Sequence, residues 1–153
     1  MTIRKFGRGV ALALRYLVGV FFLFAAINKW RENYLFSNKL YRVLSDRLLE
    51  IDPESFGAWF IEHIGLPYYQ PLAWMVCWGE TFIALGLLFG FMTRTAAIGA
   101  VLFNVMLTIG GYYDASLIVL TLMYLPAVLL PTGQWFGLDR RMLKRYPGSI
   151  WFR

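Results

Sequence analysis

One carboxylic acid in this sequence stands inside a long apolar run, where a charged side chain is costly. Glu80 lies near the middle of the apolar segment 72–91, and Asn104 lies at a similar depth in the segment 95–113. A charged group at the centre of a lipid bilayer costs at least about 2.5 to 3.5 kcal/mol on insertion scales. Glu80 must therefore face other helices rather than lipid, and it must be protonated or hydrogen-bonded.

The sequence leaves two roles open for these polar groups. In the first, Glu80 is a catalytic proton carrier at a quinone or lipid pocket lined by Trp74, Trp78, Asn104 and Tyr112. A quinol needs both an aromatic slot and a proton acceptor, and these side chains offer both. In the second, Glu80 and Asn104 only join helices, through hydrogen bonds worth about 0.6 to 2 kcal/mol each.

Few other side chains in the sequence could bind a metal ion or a redox cofactor. His63 is the single histidine and Cys77 the single cysteine. This chain alone therefore cannot form a bis-histidine haem site, a histidine-rich metal site or a dithiol centre. Neither a P-loop nor a G-x-G-x-x-G following a strand occurs in the sequence. We expect no metal site and no cofactor bound by this chain alone, with a quinone as the one candidate ligand.

The apolar segments that position these side chains are long enough for a membrane. The 153 residues are 59% hydrophobic, above the roughly 45 to 50% of soluble proteins. A helix needs about 20 mostly apolar residues to cross about 30 Å of hydrocarbon. Segments that reach or approach this length run over about 9–28, 72–91, 95–113 and 115–131. The sequence therefore predicts an all-α fold, an integral membrane four-helix bundle that forms a single transmembrane domain over 1–153.

Two helical patterns lie outside these spans. In the outer loop 29–71, apolar residues recur at helical spacing before Pro53 and predict a surface-lying amphipathic helix; they are Leu40, Val43, Leu44, Leu48 and Ile51. A second short helix is expected from Phe56 to Ile64. In the cytoplasmic tail 132–153, basic and apolar residues alternate from Asp139 to Tyr146. This alternation is typical of an interfacial helix near anionic lipid, and a solvated basic tail is the alternative.

The distribution of lysine and arginine predicts the orientation. With four spans both ends share one side, and that side carries Arg4, Lys5, Arg8, Arg94, Arg140, Arg141, Lys144, Arg145 and Arg153. In the outer loop, acidic residues match the basic ones. Because lysine and arginine accumulate on the cytoplasmic side, both termini are predicted there, in a bacterial or archaeal cytoplasmic membrane. The basic residues thus flank apolar blocks, and the charge of +6 does not indicate nucleic acid.

Structural roles are expected for several other residues. Arg94 lies in the short inner turn between the second and third spans and is interpreted as a topology determinant. Arg15 is close enough to the cytoplasm to extend its charged end into water, and Lys29 can do so outward. Asp114 is expected to cap the fourth helix, and Pro126 to kink it.

Four stretches of the sequence resemble the DoxX family of small four-span membrane proteins, relatives of the DoxD and MauE groups. They are RYLVGVFFLFAAINKW, GLPYYQPLAW, GETFIALGLLFGFMTRTAAIGA and TGQWFGLDRRML. The third stretch carries the family pattern as Glu80, Gly86, Gly90 and Arg94. The resemblance covers most of the chain, from residue 15 to residue 143.

The resemblance implies a four-helix bundle linked to redox pathways. DoxD-type proteins are subunits of a thiosulfate:quinone oxidoreductase, and MauE-type proteins assist maturation of a periplasmic dehydrogenase. This sequence departs from the family pattern between Tyr34 and Glu54, where the outer loop is longer. The departure argues against thiosulfate activity and suggests a surface for a partner.

These observations favour an accessory or small subunit of a membrane-bound, quinone-linked redox assembly. Its expected partners are the lipid bilayer and larger membrane protein subunits, with no nucleic acid. Two alternatives stay open: a stand-alone small membrane oxidoreductase that uses Glu80, and a purely structural packing subunit of a larger membrane complex.

Overall fold

The computed structural model describes residues 2–152, and side-chain positions from residue 5 onward. This part of the chain is helical and contains no strand, which confirms the predicted all-α class. Its α-helices are α1 (Thr2–Arg31), α2 (Lys39–Glu50), α3 (Phe56–Phe60), α4 (Tyr69–Phe89), α5 (Thr93–Ile109), α6 (Ala115–Leu129), α7 (Thr132–Trp135) and α8 (Asp139–Arg145). A π-helical turn, Ile61–Gly65, directly follows α3.

Two helices are long and apolar enough to cross a membrane, α4 and the part of α1 from Lys5 to Arg31. Helices α5 and α6 are also apolar, but they have 17 and 15 residues, which is about 25 and 22 Å of length. Helix α1 extends beyond the predicted segment 9–28 at both ends. Helix α5 ends at Ile109, well before the predicted boundary, because Gly110 and Gly111 follow and Gly111 has a φ of +83°.

Small residues let the long helices approach one another. Helix α1 packs against α4 and α6, α4 packs against α5, and α5 packs against α6. A Cβ atom on Gly86 of α4 would lie 2.6 Å from the Cβ of Ala96 on α5, so only glycine fits there. Ala84, Ala97 and Ala100 are completely buried in the same core. Buried polar residues, Glu80 on α4 and Asn104 on α5, lie on these same helices.

The two ends of α6 differ in how their backbone groups are satisfied. At the start, an oxygen of Asp114 accepts a hydrogen bond from the backbone N–H of Ser116 at 3.0 Å. The hydrogen bonds from Ser116 lower the pKa of the Asp114 carboxyl, because they favour its charged form. At the other end, Pro126 lies in the last turn of α6, and its carbonyl accepts from Leu130 at 3.0 Å.

The segment 132–139 covers the end of the long helices where α4 ends and α5 begins. We call this end the inner end and the opposite one the outer end, as labels of position within the fold, and we call Arg15 together with 132–139 the inner clasp. The guanidinium of Arg15 donates to the carbonyl of Thr132 at 2.7 Å and to that of Phe136 at 2.8 Å. Arg15 is only 1% exposed. The expectation that Arg15 reaches into water is therefore wrong, because the returning segment 132–138 covers it and supplies carbonyl acceptors in place of water.

Asp139 completes the inner clasp. Its carboxylate accepts hydrogen bonds from the backbone N–H groups of Met92 at 2.7 Å and Thr93 at 3.0 Å. N–H groups at the start of a helix such as α5 have no acceptor within the helix, and Asp139 supplies one. Gly90, with a φ of +62°, ends α4 at this point. A Cβ on Gly90 would lie 2.7 Å from the Cα of Gly137, so this glycine contacts the returning chain rather than another helix.

At the outer end, α2 and α3 pack against the turn that follows α5. Arg47 of α2 donates to the carbonyl of Gly111 and, at 2.8 Å, to the carboxylate of Glu50. The Arg47 guanidinium also lies 4.7 Å from the centre of the Tyr112 ring. A Cβ on Gly57 of α3 would lie 3.1 Å from the Cα of Gly111. These close contacts hold the two outer helices over one end of the long helices.

Candidate functional site

The site begins with an ion pair between Lys29, in the last turn of α1, and Glu80, midway along α4. The ammonium nitrogen of Lys29 lies 2.7 Å from Oε1 of Glu80 and 2.9 Å from its Oε2. Glu80 is 2% exposed. The expectation that Lys29 extends outward is therefore wrong, because a buried carboxylate on the facing helix binds its ammonium group instead of water.

The antiparallel arrangement of α1 and α4 explains why these two residues meet. Near the inner end a Cβ on Gly19 would lie 3.0 Å from the side chain of Leu88. Lys29 is ten residues further along α1, and Glu80 is eight residues earlier on α4. Both displacements lead toward the outer end by about 12 to 15 Å. The helix register alone thus brings the ammonium group opposite the carboxylate.

The ion pair has no net charge, but it can still form hydrogen bonds with a neighbouring molecule. Attraction between the two ions offsets the cost of removing each from water only while both are present. Lys29 retains 23% side-chain exposure, whereas Glu80 retains 3%. The ammonium group can therefore reach a neighbouring molecule without leaving the carboxylate, and the pair can act as both hydrogen-bond donor and acceptor.

Tyr34 lies beside the ion pair, in the turn that follows α1. The ammonium nitrogen of Lys29 is 5.8 Å from the centre of the Tyr34 ring. Burial raises the pKa of Tyr34 to about 12. Its hydroxyl therefore stays neutral, and able to donate a proton in a hydrogen bond, throughout the physiological pH range.

The ion pair borders an apolar cavity of about 630 Å³, which we call the central cavity. This volume is within the range of about 300 to 1,000 Å³ that small-molecule sites occupy. Its walls are mostly aliphatic and aromatic side chains of α1, α2, α4 and α5. Polar side chains at its surface, besides the ion pair, are Tyr34, Asn104, Tyr112 and Tyr124.

Asn104 and Tyr112, two of the predicted pocket residues, thus border the same cavity as Glu80. Asn104 also joins α5 to α6, since its amide nitrogen donates to the carbonyl of Leu117 at 3.1 Å and to the hydroxyl of Thr121 at 3.0 Å. A second, smaller cavity of about 240 Å³ lies on this α5 and α6 side of Asn104.

Trp74 and Trp78 do not border the central cavity. They are 41% and 53% exposed. Trp78 packs edge to face on Trp30 with ring centres 5.1 Å apart, and Trp74 packs in the same way on Phe36 at 5.6 Å. Because a helix turns about 100° per residue, Trp78 and Trp74 stand about 140° to 180° around α4 from Val76 and Ile83, which border the cavity. They therefore occupy the opposite face of that helix, and Phe22 and Phe103 provide aromatic walls instead.

Arg15, Arg94 and Asp114 lie away from the central cavity. Arg94 belongs to the first turn of α5 rather than to the turn before it, and its guanidinium lies 3.4 Å from the carbonyl of Leu129 at the end of α6. The other two occupy the inner clasp and the start of α6. The structure brings none of the three near Glu80.

Two side chains of the site, Tyr34 and Tyr124, were not identified from the sequence. Tyr34 lies in a turn, where nothing in the sequence indicates its distance to Lys29. Tyr124 lies in a largely apolar stretch of α6, LIVLTLMYLPAVL, in which Thr121 carries the other hydroxyl, and a hydroxyl in such a stretch was the available signal. Within residues 2–152, no group of three or more His, Cys, Asp or Glu residues could hold a metal ion.

Comparison with known proteins identifies one match. The family model described as DoxX matches residues 10–113, a range that includes both Lys29 and Glu80. No curated protein matches the chain, and no solved structure matches it.

Proposed function

Since the chain belongs to the DoxX family of membrane proteins, we propose that it is an accessory or small subunit of a quinone-linked membrane redox assembly. In this proposal α1, α4, α5 and α6 span the bilayer as a four-helix bundle with both termini in the cytoplasm. The bundle docks beside larger subunits, and its central cavity binds the head group of a quinone.

The ion pair at the cavity wall is the observation that carries this proposal. A quinone carbonyl accepts hydrogen bonds, and the ammonium group of Lys29 can donate one. A quinol hydroxyl gives up a proton on oxidation, and the carboxylate of Glu80 can accept one. The two groups are held within 2.9 Å of each other at the edge of an otherwise apolar cavity that suits the hydrocarbon part of the same molecule.

Large apolar side chains on the outside of the helices support the membrane location. Leu17 and Phe24 of α1 are 59% and 63% exposed, and Ile118 and Leu122 of α6 are 66% and 59% exposed. A surface of this kind is stable against lipid and costly against water. It supports a lipid-facing position for α6 although that helix has only 15 residues.

The small number of possible cofactor ligands supports an accessory role. With one histidine and one cysteine in the whole sequence, the chain has few side chains that could hold an electron carrier. We therefore place electron transfer in larger neighbouring subunits, with this chain supplying a site for the quinone and its protons.

Binding of a decyl-substituted 1,4-benzoquinone to the protein in lipid nanodiscs tests the proposal. We expect saturable binding by the wild type and a loss of at least tenfold in affinity for Glu80→Gln. Glu32→Gln is the matched control, because Glu32 pairs with Lys39 on the surface and its side chain is 58% exposed. No binding by the wild type, or equal binding by both variants, would contradict a quinone site at Glu80.

Purification in mild detergent tests the accessory role separately. Mass spectrometry is expected to identify larger membrane subunits that accompany the chain and are retained in Glu80→Gln. A protein that emerges alone but oxidises or reduces the quinone, and loses turnover with Glu80→Gln, is the stand-alone enzyme. A protein with neither partner nor quinone contradicts the proposal.

The proposed orientation has its own test. After Cys77→Ala, a single cysteine is placed at Ser149 near the C-terminus or at Ser55 before α3, and intact cells are treated with an impermeant thiol reagent. Four spans with cytoplasmic termini predict labelling at position 55 only. Labelling at position 149 would contradict the orientation.

A further inference from the structure

Tyr124 of α6 has a buried hydroxyl group that makes no hydrogen bond in the ligand-free protein. The residue is 1% exposed, and its ring centre lies 6.1 Å from that of Phe22 on α1. The side chain of Asn104 lies close to this hydroxyl, but no atom of the described residues meets the distance and angle of a hydrogen bond with it. Buried polar groups are nearly always paired, so a hydroxyl left without a partner at this depth requires an explanation.

The central cavity supplies that explanation. Tyr124 borders it, and so does Asn104, whose amide nitrogen is already bonded to α6. A molecule in the cavity that presents a hydrogen-bond acceptor could therefore satisfy the Tyr124 hydroxyl without disturbing any existing hydrogen bond. The rest of the wall around it is apolar, with Phe22 and Phe103 in edge-to-face contact at 5.9 Å between ring centres.

Two of the polar groups at the cavity wall, the Lys29–Glu80 ion pair and the Tyr124 hydroxyl, lie apart from each other, with apolar side chains such as Phe22 and Ile83 between them. Phe22, which contacts Tyr124, lies seven residues before Lys29 on α1, or about 10 Å along the helix axis. On α4, Ile83 belongs to the same buried cluster as Tyr124 and lies three residues after Glu80, or about 5 Å along the axis. The separation of the two polar positions is thus between one and two helical turns.

Resting on the quinone role proposed above, we propose that the Tyr124 hydroxyl is a second ligand-binding group that donates to a ring carbonyl remote from the ion pair. The ligand class is then a para-quinone, with one carbonyl oxygen at Lys29 and Glu80 and the other at Tyr124. A neutral hydroxyl suits a neutral carbonyl, whereas a second charged group on the ligand would find no counter-ion at this position.

Two probes and one isosteric substitution test this assignment. The probes are a decyl-substituted 1,4-benzoquinone, which has two ring oxygens, and 4-decylphenol, which has one. A hydrogen bond worth about 1 to 1.4 kcal/mol corresponds to a factor of about 5 to 10 in affinity. Tyr124→Phe is therefore expected to weaken binding of the benzoquinone about 5- to 10-fold and to change binding of the phenol less than 2-fold.

Thermal unfolding distinguishes a binding role from a structural one. Because the hydroxyl has no partner in the ligand-free protein, Tyr124→Phe is expected to unfold at the same temperature as the wild type or higher. Tyr113→Phe is the matched control, since Tyr113 is 67% exposed and does not border the cavity. We expect this control to behave as the wild type in all three measurements.

The outcomes separate this inference from the proposed function. If the wild type binds the benzoquinone and Tyr124→Phe binds it within 2-fold, the inference is overturned while the quinone site stands. A lower unfolding temperature, or an equal loss with both probes, would mean that the hydroxyl has a structural role and would also overturn it. Failure of the wild type to bind either probe would overturn both.

Discussion

Lys29 and Glu80 lie 51 residues apart in the sequence, yet both carboxylate oxygens of Glu80 are within 2.9 Å of the Lys29 ammonium nitrogen. A buried carboxylate without a partner is energetically unfavourable, and this contact supplies Glu80 with an opposite charge. It also places a donor and an acceptor at the wall of an apolar cavity. The stability of the helix pair and the proposed chemistry therefore depend on the same two side chains.

Breaking this ion pair from one side should destabilise the protein more than removing both charges. Lys29→Met or Glu80→Met leaves one uncompensated charge, which we expect to cost about 3 kcal/mol, because Lys29 keeps some access to solvent. The double variant Lys29→Met with Glu80→Met should regain most of that loss but bind no quinone. Chemical unfolding in detergent micelles measures the difference, and additive losses in the double variant would contradict a coupled pair.

The inner clasp should contribute to the stability of α5. Asp139→Ala removes the acceptor for two backbone N–H groups at the start of that helix, and we expect a loss of about 1 to 2 kcal/mol. Arg140→Ala is the adjacent control, since Arg140 is exposed, and should be nearly neutral. Unfolding midpoints of the two variants give the comparison; equal midpoints would show that Asp139 does not hold α5.

Close packing of α4 on α5 should make Gly86 intolerant of substitution. A methyl group there would lie 2.6 Å from the Cβ of Ala96, so Gly86→Ala is expected to cost about 1 to 3 kcal/mol. A Cβ on Gly9 of α1 meets nothing within 4 Å, so Gly9→Ala should be neutral or slightly stabilising. Thermal unfolding measures both changes, and a neutral Gly86→Ala would contradict this helix contact.

The cap at the start of α6 should contribute stability that depends on pH. Its hydrogen bonds lower the pKa of Asp114 in the folded protein. Their contribution is therefore complete above the ordinary pKa of aspartate, about 3.9, and is lost as the pH falls through the folded-state pKa. The difference in unfolding temperature between wild type and Asp114→Ala should shrink as the pH is lowered from 7 to 3. A difference that grows on acidification would contradict this sign.

Local sequence patterns predicted those features of the fold that need no tertiary information. Apolar length and helical spacing predicted the helical class. Helical periodicity places Trp74 and Trp78 far from Glu80 around α4, but it places the cavity residues Met75 and Phe82 about equally far. Which side of α4 faces the cavity depends on where α1 and α5 pack, so the exclusion of the two tryptophans could not be read from the sequence.

Other features depend on contacts between distant parts of the chain. Lys29 and Arg15 both lie near ends of a span, where extension into water is the usual behaviour. Burial of Arg15 requires the segment 132–138 to return across the inner end, and pairing of Lys29 requires the register of α1 on α4. Neither arrangement leaves a local trace in the sequence, so the clasp and the ion pair became visible only in the structure.

Photoaffinity labelling with an azido-substituted benzoquinone tests the quinone site at the central cavity most directly. Peptide mapping after illumination should place the label on cavity residues of α4 and α5 that are not exposed on the outside of the helices, such as Val76, Ile83 and Phe103. Excess decyl-benzoquinone should prevent this labelling, and Glu80→Gln should reduce it at least tenfold. Label found only on lipid-facing residues such as Leu17 and Phe24, and insensitive to the competitor, would contradict a quinone site in this protein.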